Sequence, residues 1–306
     1  MRHRTALPEA LGTQFTVADA REHGVGRGRS AARDLARPFH AVRARRAPTT
    51  PLQRVQNLVP RLRPGQLVGS STALHVWGLP YPVAWTTLED VVVVVPTDAV
   101  RPRTPGVKGL RLARGRARGW RVAGIPVVDP TAALFMCAGD LTDDQIVILL
   151  DALITTADNY PGLRKGRPIS TVAAIEQRLR DWGRFPCCGR VRSALDSARE
   201  GVESPKETET RLVIVAAGLP EPAVQHSVFD SGRFVARVDL GYPELRIAIE
   251  YEGDGHRTSR DQWRKDIQRQ RDLEDLGWIV IRVTELDLQD GGAALLRRIR
   301  NAIASR

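Results

Sequence analysis

The sequence predicts a multidomain protein of mixed α+β and α/β character, laid out as four consecutive parts: residues 1–50, 51–128, 129–203 and 204–306. Three observations lead to that class. The chain has 306 residues, long for one ordinary domain, and with 42% hydrophobic residues each part can bury a core. The residue pattern changes character along the chain, from short basic helices to buried apolar runs, to continuous helical spacing, and finally to alternating strands. The charge is as uneven as the pattern. The chain holds 46 Lys+Arg and 35 Asp+Glu, a net charge of +11. Residues 1–128 contain 21 basic and 7 acidic side chains, residues 129–203 contain 9 and 11, and residues 204–306 contain 16 and 17. The whole positive excess therefore lies before residue 129. Only four of the basic residues are Lys. Coding bias explains arginine in place of lysine, but it does not explain the scarcity of acids in the same segment.

Several classes are excluded at once. This hydrophobic content rules out a wholly disordered chain. Apolar runs such as Val91–Val95 and Ile146–Leu150 fall far short of the ~20 residues that span a bilayer, so no membrane association is expected. The opening MRHRTALPEALGT is basic but has no apolar stretch of a secretory signal. Three cysteines, with Cys187 and Cys188 adjacent, make neither a disulfide framework nor a zinc site. The expectation is a soluble cytoplasmic protein, with a homodimer admissible.

In residues 1–50, Thr16 can cap a first helix through Arg21, Gly24-Val25-Gly26 breaks it, and Ser30 to Ala36 forms a second. Phe39-His40-Ala41-Val42-Arg43-Ala44-Arg45 alternates apolar and basic residues, as an exposed β-ribbon does. Helix, turn, basic helix and basic ribbon describe a winged helix-turn-helix. Arg27, Arg29, Arg33, Arg37, Arg43 and Arg45 are then the candidate DNA-phosphate contacts. A small helical domain with a solvated arginine face is the plainer alternative.

Residues 51–128 read as mixed α/β. Ser71–Leu79 is a helix stopped by Gly78 and Pro80; Val91–Val95 and Ile125–Val128 are buried strands; Asp129-Pro130-Thr131 caps a new helix. His75, beside Trp77 on a mostly apolar helix, reads as a core histidine. The basic helix pair and ribbon, the S-S-T-A-L-H-V-W-G-L-P stretch and the D-P-T-A-A-L helix start are similar to the abortive-infection (AbiEi-like) antitoxin and transcriptional-regulator family. That resemblance covers about residues 1–155 and implies DNA binding without enzymatic activity in that part.

Residues 129–203 read as a helical connector, with helices over Thr131–Ala138, Asp143–Ala157, Thr171–Trp182 and Arg190–Ala198. No chemistry is apparent there, and Cys187-Cys188 has no evident acid or base partner.

From Ser204 the pattern is α-β-β-β-α-β. Ser204-Pro205-Lys206-Glu207 starts a helix with Ser as cap and Pro in the first turn. Strands follow near Val224–Phe229, Phe234–Leu240 and Leu245–Tyr251, then helix Ser259–Leu276, strand Trp278–Val283 and helix Gly291–Ala304. In the middle hairpin, Phe234, Ala236, Val238 and Leu240 share one face, and Asp239 lies on the other. With a turn centred on Pro243-Glu244, Tyr242 faces Leu245 and Asp239 faces Ala248. Glu250 is then a diagonal neighbour of Asp239, about 7–8 Å away, and Glu252 follows on the same face. Converging carboxylates raise each other's pKa unless a cation intervenes. Hard oxygen ligands suit Mg²⁺ or Mn²⁺, which polarises a phosphodiester and activates water.

The order αβββαβ, with acids on the first helix and the second and third strands, is that of the PD-(D/E)XK, or restriction-endonuclease-like, fold. S-P-x-E, G-L-P-E-P, V-D-L-x-x-P-E, A-I-E-Y-E-G-D-G-H, W-R-x-D-I-x-R and L-G-W-x-V-I-R-V closely resemble the small Vsr-like endonuclease domain, over about residues 204–290. The resemblance implies Asp239 and Glu250 as metal ligands and Glu207 as the helix-borne acid, acting directly or through water; Glu209 fits that role less well. It implies His256 as a group that assists proton transfer or contacts the scissile phosphate. Arg264, Asp266 and Arg269 would support the site or bind phosphate. Glu252 stands where the motif lysine is usual, as in nucleases with an E-x-E core, and Lys265 is a conceivable substitute. Gly255 replaces the bulky residues that can precede this histidine.

The sequence reading is thus a Mg²⁺- or Mn²⁺-dependent DNA endonuclease, with DNA held by the basic N-terminal region. The candidate catalytic residues are Glu207, Asp239, Glu250, Glu252 and His256, and the metal ligands are Asp239, Glu250 and Glu207. The alternative is a non-catalytic, DNA-binding regulator or antitoxin-like protein with a degenerate nuclease domain. RNA binding has little behind it in a chain with only 5% aromatic residues.

Overall fold

A computed structural model of the chain describes residues 5–162, 166–253 and 260–306, with residues 260–263 described by their backbone alone. The protein is a mixed α/β chain with two compact units. Unit 1 comprises residues up to Leu141 together with Gln177–Cys188; unit 2 comprises Thr142–Glu176 and Gly189–Arg306. The stretch expected to be a connector is thus shared between the two. No helix among the described residues is long and apolar enough to cross a membrane.

Unit 1 begins with strand β1 (Gln14–Thr16), helix α1 (Val17–Glu22), the single-turn helix α2 (Arg27–Ser30) and strand β2 (Val42–Ala44). Thr16 and Asp19 form a reciprocal capping box that fixes the start of α1. The sequence places the second helix over Ser30–Ala36, but it ends at Ser30. Ala36 instead exchanges main-chain hydrogen bonds with Ala44 (2.9 and 3.0 Å), which holds it extended before Arg37 and Pro38. Strand β2 pairs antiparallel with β1, burying Val42 and Ala44 while Arg43 and Arg45 alternate with them.

After α3 (Pro51–Leu58) come β3 (Leu67–Val68), α4 (Ser70–Trp77), β4 (Val91–Pro96), β5 (Val107–Leu112), β6 (Gly119–Val122), β7 (Ile125–Val128) and α5 (Pro130–Cys137). The five strands form one sheet in the order β5-β4-β3-β7-β6, in which β4 is buried from Val91 to Val95. Gly78, with φ of +75°, ends α4, and Asp129 caps α5 by accepting from the Ala132 amide at 2.9 Å. His75 is half-buried and stacked on Trp85, and burial lowers its pKa to about 4, as a core histidine requires.

Unit 2 contains α6 (Asp143–Ile154), the first part of α7 (Val172–Trp182), α8 (Cys188–Asp196) from Gly189 on, and α9 (Pro205–Ala216). Then follow β8 (Ala223–Asp230), β9 (Arg233–Tyr242), β10 (Ile247–Tyr251), α10 (Arg260–Asp275), β11 (Ile279–Val283) and α11 (Ala293–Ala304). The sheet order is β11-β10-β9-β8, with β10 and β11 parallel and the other pairs antiparallel. One apolar cluster joins Ile214 of α9 and Leu295 and Ile299 of α11 to Leu240, Tyr242, Ile247 and Ile249. A second joins Leu273 of α10 to Val228, Ala236, Val238 and Ala248. The sheet therefore carries helices on both faces.

Two details depart from strict alternation. Ala236 and Val238 belong to the second cluster, whereas Leu240 and Tyr242 belong to the first. The face of β9 thus changes at Asp239, where the facing strand has Gln225 at φ +51°. The hairpin register also differs from the expected one. Tyr242 pairs with Ile247 and Gly241 with Ala248. A 3-10 turn at Pro243–Leu245, followed by Arg246 at φ +49°, uses four residues for the reversal. Leu240 therefore pairs with Ile249, the last pair of this ladder, rather than with Ile247 as expected.

Candidate functional site

Glu207, Asp239, Glu250 and Glu252 all line one cleft of about 530 Å³ in unit 2. Each is set there by local structure. Ser204 caps α9 by accepting from the Glu207 amide at 3.2 Å, with Pro205 in the first turn, which places Glu207 at the third helical position. From there its carboxylate reaches back to the Glu203 amide (3.0 Å) and accepts from the Gln225 side chain (2.8 Å). Burial, and then the charge of nearby Asp239, pushes its pKa up to about 7.

Asp239 sits where the face of β9 changes. Its Oδ2 accepts from the Tyr251 amide at 2.9 Å, so the side chain takes over from the main-chain ladder, whose last pair is Leu240 with Ile249. Burial raises its pKa as well, against the opposing effects of that hydrogen bond and of Arg269. Glu250 is 6% exposed. Its Oε2 accepts from Arg269 of α10 at 3.1 Å, and its buried Oε1 has no hydrogen-bond partner among the described residues. Burial lifts its pKa, Arg269 counteracts the lift, and Asp239 adds to it. Glu252 is exposed and paired with Arg282, the residue that faces Glu250 on β11.

Buried carboxylates that raise one another's pKa, one with an orphaned oxygen, are a fitting donor set for a hard cation. Among the described residues, no three His, Cys, Asp or Glu side chains form a ready-made cage for a metal ion. Magnesium sites use one or two carboxylates, completed by water and substrate phosphate, and need no such cage. The cleft also carries cations. Arg269 and Arg282 stand at the acids, and Lys206 bonds Glu209 (2.8 Å) and Glu285 (2.9 Å).

Two Mycobacterium tuberculosis proteins, described as uncharacterized protein Rv2248 (strain H37Rv) and uncharacterized protein MT2308 (strain CDC 1551), are each 30% identical to this chain over 209 residues. The alignment spans 66% of this chain and 73% of either relative. The chain belongs to the family of these two mycobacterial proteins. No protein-family profile matches it. The crystal structure of the RV2827C protein from the same organism aligns with a TM-score of 0.38 and 17% identity, over 72% of this chain and 84% of that one, a likeness too distant to establish a common fold.

The remaining predicted positions divide clearly. His256 lies outside the described residues. Arg269 lines the cleft, whereas Arg264 and Lys265 are exposed and do not. Sequence reasoning misses Glu203, Asn159 and Arg282. Glu203 accepts from the Asn159 side chain at 2.6 Å and pairs with Arg237. Glu203 stands one residue before the S-P-x-E motif, the one signal that could have drawn attention to it. Asn159 comes from the segment between α6 and α7 and has no local signature; Arg282 is the arginine of the L-G-W-x-V-I-R-V stretch, and parallel pairing with β10 brings it to the acids.

The N-terminal arginines are mostly engaged within unit 1. Arg29 forms a two-point pair with Asp34 (3.0 and 3.1 Å) and donates to the Thr5 carbonyl at 2.7 Å. Arg37 donates to the Ala31 carbonyl (2.8 Å), Arg43 to those of Ser30 (2.6 Å) and Val42 (2.9 Å), and Arg45 to those of Gly12 (2.7 Å) and Pro8 (3.1 Å). Arg27 and Arg33 are exposed, without such bonds among the described residues.

Proposed function

We propose that this chain is a metal-dependent endonuclease that hydrolyses DNA phosphodiester bonds in the unit 2 cleft. The observation that carries the reading is the convergence of Glu207, Asp239 and Glu250, from a helix and two strands, on one concave site. The resemblance of residues 204–290 to the Vsr-like PD-(D/E)XK domain supports it, and the N-terminal resemblance to AbiEi-like regulators supports DNA as the partner.

A divalent cation such as Mg²⁺ or Mn²⁺, held by Asp239 and Glu250 with Glu207 beside them, would polarise the phosphodiester and acidify the attacking water. Asp239 is fixed for this role by the Tyr251 amide and Glu250 by Arg269. Glu207, whose pKa burial and Asp239 raise, would be placed to accept a proton from that water. Arg269 and Arg282 offset the concentration of negative charge where a phosphate must enter. His256 is assigned to the phosphate or the leaving group.

The test is plasmid nicking with Mg²⁺ or Mn²⁺ by the wild type, Asp239→Ala and Glu250→Ala. Cleavage by the wild type and its loss in both variants is expected; equal nicking by all three would sink the proposal. A second reading, a DNA-binding regulator with a degenerate nuclease domain, draws on Glu252, which replaces the motif lysine and is paired with Arg282. DNA retention without cleavage of varied substrates would favour it.

A further inference from the structure

Unit 1 holds a second group of arginines, carried by elements other than α1 and α2. Arg61 and Arg63, just beyond α3, and Arg101 and Arg103, in the segment joining β4 to β5, line one cleft of about 320 Å³. No Asp or Glu lines it among the described residues. Arg61 donates to the Thr104 hydroxyl at 3.4 Å, tying the two segments together. Arg63, Arg101 and Arg103 are exposed, with no side-chain hydrogen bond or ion pair among the described residues.

The segment that carries Arg101 and Arg103 is seated on the sheet. A Cβ at Gly109 of β5 would stand 2.9 Å from Pro102 Cδ and 3.0 Å from the Pro102 carbonyl oxygen. Residues 101–102 therefore lie directly on the strand, and glycine at 109 is what lets them. Four guanidiniums with no acidic side chain lining the same concavity repel one another, and an anion relieves that repulsion. Guanidinium forks match phosphate oxygens in particular.

We infer that this cleft grips backbone phosphates of duplex DNA, and that it, rather than the α1–α2 arginines, is the principal phosphate contact of unit 1. The choice of DNA rests on the function proposed above; the affinity for phosphate rests on the cleft alone.

The test uses the full chain carrying Asp239→Ala, without divalent ions, so that cleavage plays no part. Binding to a labelled duplex is followed by fluorescence anisotropy across a salt series. Adding Arg101→Gln with Arg103→Gln should weaken binding about tenfold or more near 0.15 M salt. It should also flatten the plot of log K against log salt by about 0.9 for each phosphate no longer neutralised. Arg101→Lys with Arg103→Lys should keep most of the slope, and Arg27→Gln with Arg33→Gln should change it less than the 101/103 Gln pair does. Gly109→Val, which lifts the segment, should weaken binding with all arginines present. Unchanged affinity and slope in the 101/103 Gln variant overturns the inference. So does DNA binding untouched by the variant, combined with loss of inorganic phosphate binding, which would assign the cleft to a free phosphate compound. A wild type that leaves plasmid intact, while the Gln variant still loses duplex affinity, removes the nuclease reading and leaves this cleft assigned.

Discussion

Asp239 accepts a hydrogen bond from the backbone amide of Tyr251 at 2.9 Å, closing the end of the β9–β10 ladder with a side chain. The bond fixes a carboxylate beside Glu250 at the point where the strand changes face. Asp239→Asn keeps an acceptor for the amide but removes the charge. It should fold with nearly wild-type stability and lose about 10²-fold or more in DNA cleavage. Thermal melting and plasmid nicking measured on the same preparation check both halves.

Glu207 should make both activity and stability depend on pH near neutrality. Its pKa rises from the ordinary 4.5 to about 7, chiefly through burial and then through Asp239. Between those values the folded chain binds the proton more tightly than the unfolded chain, so stability falls as pH rises through that window. Glu207→Gln keeps an acceptor for Gln225 and removes the drop. Relative to wild type, the variant should gain stability on going from pH 5 to pH 8, as read by paired denaturant titrations. Wild-type cleavage should rise with pH through about 7, with a midpoint that moves lower as Mg²⁺ increases. A variant that tracks wild type at every pH would dismiss this role.

Arg269 holds Glu250 from α10 at 3.1 Å and opposes the rise in its pKa. Arg269→Gln should leave the fold intact and raise the Mg²⁺ concentration needed for half-maximal cleavage about 10- to 100-fold, the usual cost of removing a group that orients a ligand. A metal titration of the nicking rate gives the answer directly.

Asp151 of α6 anchors α9 from outside residues 204–306. It is fully buried, bonded to Arg211 at 2.9 Å, to the Thr208 hydroxyl at 2.9 Å and to the Arg199 amide at 2.7 Å. Burial raises its pKa to about 6 despite Arg211. Asp151→Ala leaves the buried Arg211 short of one partner and should cost about 3–5 kcal/mol. Asp151→Leu combined with Arg211→Met should recover much of that loss. A cost below about 1 kcal/mol for Asp151→Ala would contradict this account.

Arg43 should matter for stability rather than for DNA. Its guanidinium serves the carbonyls of Ser30 and Val42. Arg43→Ala should therefore destabilise the protein by about 1–3 kcal/mol, while Arg27→Ala and Arg33→Ala, at exposed positions, should leave the melting temperature unchanged.

Much of this protein is written locally. Thr16, Ser204 and Asp129 announce helix starts because a cap is a contact between residues two or three apart. Gly78 ends α4 for the same short-range reason. The apolar run at Val91–Val95 and the hairpin acids Asp239, Glu250 and Glu252 are legible because buried strands and short motifs need only neighbouring residues. The tertiary structure decides what depends on distant partners. Ala36 leaves the helix because Ala44 pairs with it. Arg246 in a left-handed conformation lengthens the turn and sets Leu240 across from Ile249. Arg29, Arg37, Arg43 and Arg45 look like a phosphate-binding face in sequence, yet carbonyls and a carboxylate within reach of the folded chain engage them. Arginine composition is visible in a sequence; whether a guanidinium is engaged or available depends on which acceptors the fold brings within about 3 Å of it.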